Sequence, residues 1–135
     1  MIITRPCGYC SKSFTGDRRL LYCAPLCRFR AAYLRLTGVQ PDDCTELYYL
    51  KRWFRKRYNA ADHGHTFELT DVDVRRCPSG PCLYCLVAPA AQIDRYDNGL
   101  GYTVANSVGA CGRCNALKGA THGDVYVNSV TLTSQ

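Results

Sequence analysis

Eight of the ten cysteines stand in four close pairs, Cys7 with Cys10, Cys23 with Cys27, Cys82 with Cys85 and Cys111 with Cys114. Two or three intervening residues place both sulfurs of a pair on one side of a tight knuckle. That arrangement suits one zinc ion and suits a disulfide to a distant partner less well. Two sites follow, Cys7, Cys10, Cys23 and Cys27 for one and Cys82, Cys85, Cys111 and Cys114 for the other. Four thiolates leave zinc no open position for water, so both zincs are expected to be structural. The second set encloses an insert of 25 residues between Cys85 and Cys111 that holds Asp94, Arg95, Asn98-Gly99 and Asn106, with Asn115 just beyond Cys114. A carboxylate, a guanidinium and several amides are thus gathered in a segment whose ends a zinc clamps.

The elements that must position these groups are readable from the pattern. "CGYCSKSFTGDRRLLYC" followed by "APLCRFRAAYLRLTG" reads as a knuckle, a short hairpin through Thr15-Gly16-Asp17, and a helix that carries the last ligand. Phe29, Ala32, Tyr33 and Leu36 give that helix one apolar face, and Gly38 is placed to end it. The whole resembles a treble-clef zinc module. In "PDDCTELYYLKRWFRKRYN" Asp43 and Glu46 have the spacing of a capping box. Leu47, Leu50, Phe54 and Tyr58 then form an apolar stripe, with Arg52, Arg55 and Lys56 pointing away from it. Cys44 reads as a small buried residue.

"NAADHGH", with His63 and His65, breaks the pattern before "FELTDVDVRRC", which reads as a strand start and a short helix capped by Thr70 and ending before Pro78. Further on, "AQIDRY" and "GYTVAN" can pair across Asn98-Gly99 as a hairpin, and "NALKG" begins a helix. The expected class is a small zinc-stabilised α+β fold, divided as 1–40 for the first zinc module, 41–65 for the basic helix and linker, and 66–135 for the second module.

Composition narrows the partners. At 135 residues the hydrophobic 47% allows a modest core that zinc would staple. The net charge of +6 is unevenly spread: Arg18, Arg19, Arg28, Arg30 and Arg35 lie early, and "KRWFRKR" adds five more cations. A basic first half points to a polyanion, nucleic acid before others, against the plainer alternative of a solvated helix face. No stretch has the length of a signal-peptide core or a membrane span, so no membrane partner is expected and a reducing, intracellular compartment is.

"CLYC", "IDRYDNGLGYTVAN" and "CGRCNALKG", with weaker likeness back to "FELT", resemble the HNH or ββα-metal endonucleases, particularly the small forms common in phages and mobile elements. The likeness covers roughly Phe67 to Gly119, and it is the combination of motifs that makes it specific. It implies strand, strand and helix pinned by the second zinc, a catalytic divalent ion such as magnesium held by Asp94 and Asn115, and a loop held by Asn106. One carboxylate and one amide oxygen suit a hard cation that keeps its other positions for water and phosphate. The implied activity is metal-dependent hydrolysis of double-stranded DNA, by a monomer or a dimer, as a nick or a double-strand break. Arg52, Arg55, Lys56 and Lys118 are the expected phosphate contacts. DNA is favoured over RNA by the resemblance alone.

One position departs. The residue after the metal-binding aspartate is commonly a histidine that activates water, and here it is Arg95, which stays protonated and cannot accept a proton. Arg95 is expected to hold the scissile phosphate, with the proton going to solvent or to a group other than histidine. His122 is the best placed rival base if it shares the helix face of Asn115, while His63 and His65 qualify only if their loop folds back. The alternative to a nuclease is a zinc protein on the same scaffold that binds DNA without cutting. Whether Cys77, in "CPSGPC", replaces Cys82 as a ligand is left open by spacing.

Overall fold

The cysteine pairs build the turns of this molecule. In the computed structural model, which describes residues Met1 to Thr133, the first knuckle is itself the loop of a hairpin. Strand β1 (Ile2–Pro6) pairs antiparallel with β2 (Ser13–Asp17), Ile2 opposite Asp17 and Pro6 opposite Ser13. The Cys7 N–H donates to the Lys12 carbonyl at 2.8 Å and closes the loop between them. Thr15-Gly16-Asp17 is therefore the end of a strand and not the hairpin turn expected from the sequence. Helix α1 (Pro25–Thr37) opens on a proline, whose missing N–H costs nothing in the first turn. It ends at Gly38, which takes the left-handed conformation (φ 72°) and donates to the Leu34 carbonyl.

Two compact units divide the chain, Met1–Phe54 and Arg55–Gln135, with the boundary inside helix α2 (Leu47–Asp62). In the first unit Tyr33, Leu50 and Trp53 are buried, and the Tyr33 and Trp53 rings meet edge to face at 4.6 Å. Along α2 the buried residues are Leu50, Trp53 and Ala60, whereas Tyr58 is 73% exposed. The buried face is turned toward Trp53 relative to the stripe through Phe54 and Tyr58 read from the sequence, because the indole carries the larger apolar surface. The expected capping box at Asp43 is also replaced. Asp42 makes the turn, its carboxylate accepting from the Cys44 N–H at 2.8 Å, and Cys44 is exposed.

After α2 the second unit continues with Phe67 bridged to Tyr102, in place of a full strand at "FELT". Helix α3 (Asp71–Arg76) has the expected cap: Thr70 Oγ1 accepts from the Asp73 N–H at 3.2 Å, and Asp73 reaches back to the Thr70 N–H at 2.9 Å. Strand β3 (Gln92–Arg95) pairs antiparallel with β4 (Ser107–Ala110), Asp94 opposite Val108. "GYTVAN" is thus loop, not the second strand. Tyr102 uses its N–H and carbonyl on Thr66 and Glu68, both at 2.8 Å, so this stretch is already paired elsewhere. Gly101 permits that approach, since a Cβ there would overlap Thr66. Helix α4 (Gly112–Lys118) follows β4 directly, and α5 (Gly123–Thr133) comes after one turn. The core gathers Cys82, Tyr84, Ala110, Cys111, Cys114 and Tyr126. The result is an α+β fold with two short sheets and five helices among the described residues.

Candidate functional site

Each of the two expected cysteine sets is drawn together, with sulfurs all within 4.8 Å of one another. Sulfurs 2.3 Å from a tetrahedral zinc lie about 3.8 Å apart. The Cys10–Cys23 and Cys23–Cys27 separations of 3.7 and 3.6 Å match this. Backbone N–H groups point at the sulfurs. Burial alone would push the Cys7 thiol up, but the N–H groups of Cys10, Cys23 and Tyr9 bring it down to about 6. The N–H groups of Val87 and Ala88 bring Cys85 down to about 6 as well. Desolvation pushes Cys27 and Cys114 up to about 12 in the metal-free chain. Four crowded thiols of which some ionise readily and others only against burial are a donor set that one zinc ion fits. Cys77 belongs to neither set. It borders an apolar cavity of about 500 Å³ with Leu69, Leu83 and Val104.

β3 delivers Asp94 and Arg95 to the mouth of the loop 96–106. Asp94 is buried, and its Oδ2 accepts from the Tyr84 hydroxyl at 2.6 Å and from Lys118 Nζ at 3.1 Å. Burial first, then the bond to Asp94, pushes the Tyr84 hydroxyl far above the usual phenol range, so it stays a donor. Among the described residues, Asp94 Oδ1 has no hydrogen-bond partner. Asn115, on α4, donates Nδ2 to Gln92 Oε1 at 2.7 Å, and its Oδ1 is likewise without a partner among the described residues.

Asn106 is buried and spans the loop. Its Nδ2 donates to the carbonyls of Asp97 and Gly101, both at 3.0 Å, and its Oδ1 accepts from the Asp97 N–H at 2.8 Å. Arg95 braces the same loop, Nη1 donating to the carbonyls of Asn98 at 2.8 Å and Leu100 at 3.1 Å. Nη1 is thus given over to neighbouring protein acceptors, and Nε and Nη2 are left for another. The Arg95 guanidinium also lies over the Tyr102 ring, 5.6 Å from its centroid.

Several expected positions differ in the structure. Lys118 is 1% exposed, so it is not a surface phosphate contact. Its ammonium is held by Asp94, the Arg95 carbonyl and Asn98 Oδ1, which together take all three of its hydrogens. Lys56 is half-buried and donates to the Ile93 carbonyl at 3.1 Å, supporting β3. Arg52 is half-buried with Nη1 3.5 Å from the Tyr48 hydroxyl, and Arg55 is exposed. His122 does not share a helix with Asn115. α4 stops at Gly119, and His122 accepts from the Asp124 N–H, with Asp97 Oδ2 3.7 Å from its other nitrogen.

The loop after α2 does fold back. His65 Nδ1 lies 3.3 Å from Arg95 Nη1, while His63 is exposed and bonded to its own helix at the Asn59 carbonyl. Desolvation, then the Arg95 charge, then His63 lower the His65 pKa.

The order β3, loop, β4, α4 over a four-cysteine clamp, with Asp94 and Asn115 on facing elements, is a ββα arrangement. The fold is similar to that of an HNH restriction endonuclease. The chain matches the structure of the rare-cutting enzyme PacI with a TM-score of 0.50 and 17% sequence identity, over 96% of this chain and 93% of that one. No family model and no curated protein matches the sequence. The match extends well beyond the Phe67 to Gly119 stretch that carries the motifs. No described helix is long and apolar enough to cross a membrane.

Proposed function

We propose that this protein is a metal-dependent DNA endonuclease of the HNH type, with Asp94 and Asn115 as ligands of a catalytic divalent ion. The observation that carries the proposal is the pair of oxygens, Asp94 Oδ1 and Asn115 Oδ1, that lack partners among the described residues on two facing elements of a ββα fold. A carboxylate and an amide oxygen are the donors a hard cation such as magnesium takes, and when bound it stabilises negative charge on the phosphate and on the leaving oxygen.

The rest falls to the chain's own groups. Arg95 Nε and Nη2 meet the scissile phosphate while Nη1 stays on the loop, so the guanidinium is oriented before substrate arrives. Water adds its oxygen to phosphorus as the ester P–O bond to the leaving oxygen breaks, the water's proton passes to solvent, and the leaving oxygen takes a proton from solvent to depart as an alcohol. Asn106 keeps the loop in shape without touching the reacting atoms. Exposed Arg55 contributes to the salt-dependent grip on the backbone. PacI, the structural neighbour, is a restriction endonuclease that perturbs DNA, and double-stranded DNA is the substrate proposed here.

A protein that binds DNA without cutting it is the second reading. It is favoured by Arg95 standing where a histidine base is common, and by the Lys118 ammonium already paired with Asp94. Nicking of supercoiled plasmid in magnesium against chelator separates the two.

A further inference from the structure

β3 and α4 face each other through two rungs. Gln92 and Asp94 are two apart on the strand and share a face. Asn115 and Lys118 are three apart on the helix and share one as well. The first rung is the 2.7 Å bond from Asn115 Nδ2 to Gln92 Oε1, and the second is the 3.1 Å ion pair between Lys118 and Asp94 Oδ2. Tyr84 adds its 2.6 Å bond to that same Oδ2.

Each rung therefore engages one atom of a candidate ligand and spares the other. On Asn115 the nitrogen is the atom engaged with Gln92 and the oxygen is the atom left for a cation, an orientation that an acceptor-only carboxylate at position 92 would enforce. Only the oxygen of an amide can coordinate a cation, and a flipped amide would present N–H hydrogens to it. On Asp94 one oxygen is held twice and the other by none of the described residues. Lys118 also bonds the Arg95 carbonyl at 2.9 Å and Asn98 Oδ1 at 2.8 Å, so the same ammonium ties the strand end to the loop.

We propose that Gln92, Tyr84 and Lys118 are positioning residues that aim one oxygen of Asp94 and one of Asn115 at a shared divalent cation, making the ion site the work of five side chains. The proposal rests on the ligand assignment above. Gln92 is exposed, and Tyr84→Phe keeps the ring in the core, so both can be altered without emptying the interior.

The test is Mn²⁺ binding to the zinc-loaded, DNA-free protein, followed by electron paramagnetic resonance, with zinc content measured alongside. Partners that orient metal ligands are typically worth about 10- to 100-fold in metal affinity. Gln92→Ala and Tyr84→Phe are expected to lose affinity in that range with zinc retained. Gln92→Glu, which keeps an acceptor oxygen in place, is expected to bind Mn²⁺ at least as tightly as the parent. If Asp94→Ala and Asn115→Ala lose Mn²⁺ but Gln92→Ala and Tyr84→Phe do not, the ligand assignment stands and the positioning proposal is overturned. A Gln92→Glu variant as weak as Gln92→Ala overturns it too. If Asp94→Ala and Asn115→Ala bind Mn²⁺ like the parent, the ligand assignment itself is wrong.

Discussion

Arg95 is the side chain on which the proposed chemistry turns. Its guanidinium keeps its proton at any accessible pH, so it cannot serve as the base. Two loop carbonyls hold one of its nitrogens, and a phosphate is the acceptor suited to the others. Removing one preorganised donor of this kind typically costs about 100- to 1,000-fold in rate. Arg95→Ala is therefore expected to lower single-turnover cleavage by well over tenfold with both zincs retained. His65 is the histidine brought beside Arg95, and its lowered pKa leaves it neutral at neutral pH. In the electrostatically favoured tautomer its Nδ1 lone pair faces the guanidinium and its Nε2 carries the proton. A base so placed has no lone pair for water, so His65→Ala should cost less than about tenfold, below the roughly 100-fold of a positioned general base. A loss of 100-fold at His65 would assign the proton to it.

The loop 96–106 is the element that turns a two-stranded sheet into a site, and Asn106 is its brace. Three hydrogen bonds from one buried amide hold both sides of the loop, and truncation leaves the Asp97 N–H without its acceptor. The part-buried Asp97 N–H left unsatisfied costs toward the lower end of about 1–3 kcal/mol. Asn106→Ala should lower stability by about that much in denaturant unfolding and reduce cleavage through the loop.

The sequence carried this element only in part. Cysteine spacing located both four-cysteine clusters, and Thr70 and Gly38 marked their helix ends by local chemistry. The second strand was misplaced because "GYTVAN" alternates like a strand, while the actual partner of its Tyr102, Thr66 to Glu68, lies 34 to 36 residues earlier and makes only an isolated bridge. Lys118 reads as a surface cation from its type. Its burial follows from facing Asp94 across α4 and β3, a pairing that no local pattern announces. Gln92 and Tyr84 were missed for the same reason, although Gln92 stands two before Asp94 and so shares its face.

At the scale of the molecule, two four-cysteine clusters that each fit a zinc ion stand in for the large core that a chain this small lacks. Among the described residues none of the ten cysteines is in a disulfide, and eight line the two clusters. Because the clusters exist only in the folded units, metal binding and folding are coupled. Elemental analysis should give two zincs per chain, and a strong chelator should unfold the protein. The central claim is that Asp94 and Asn115 make this zinc-built scaffold cut DNA. The most direct measurement is single-turnover cleavage of plasmid DNA in magnesium by the parent, Asp94→Ala and Asn115→Ala, each with its zinc content and its DNA affinity without magnesium determined. The parent should nick only with the divalent ion, and both variants should lose cleavage while retaining two zincs and near-parental DNA binding. Cleavage by either variant at the parental rate, or a parent that binds DNA and never cuts it, would contradict the account.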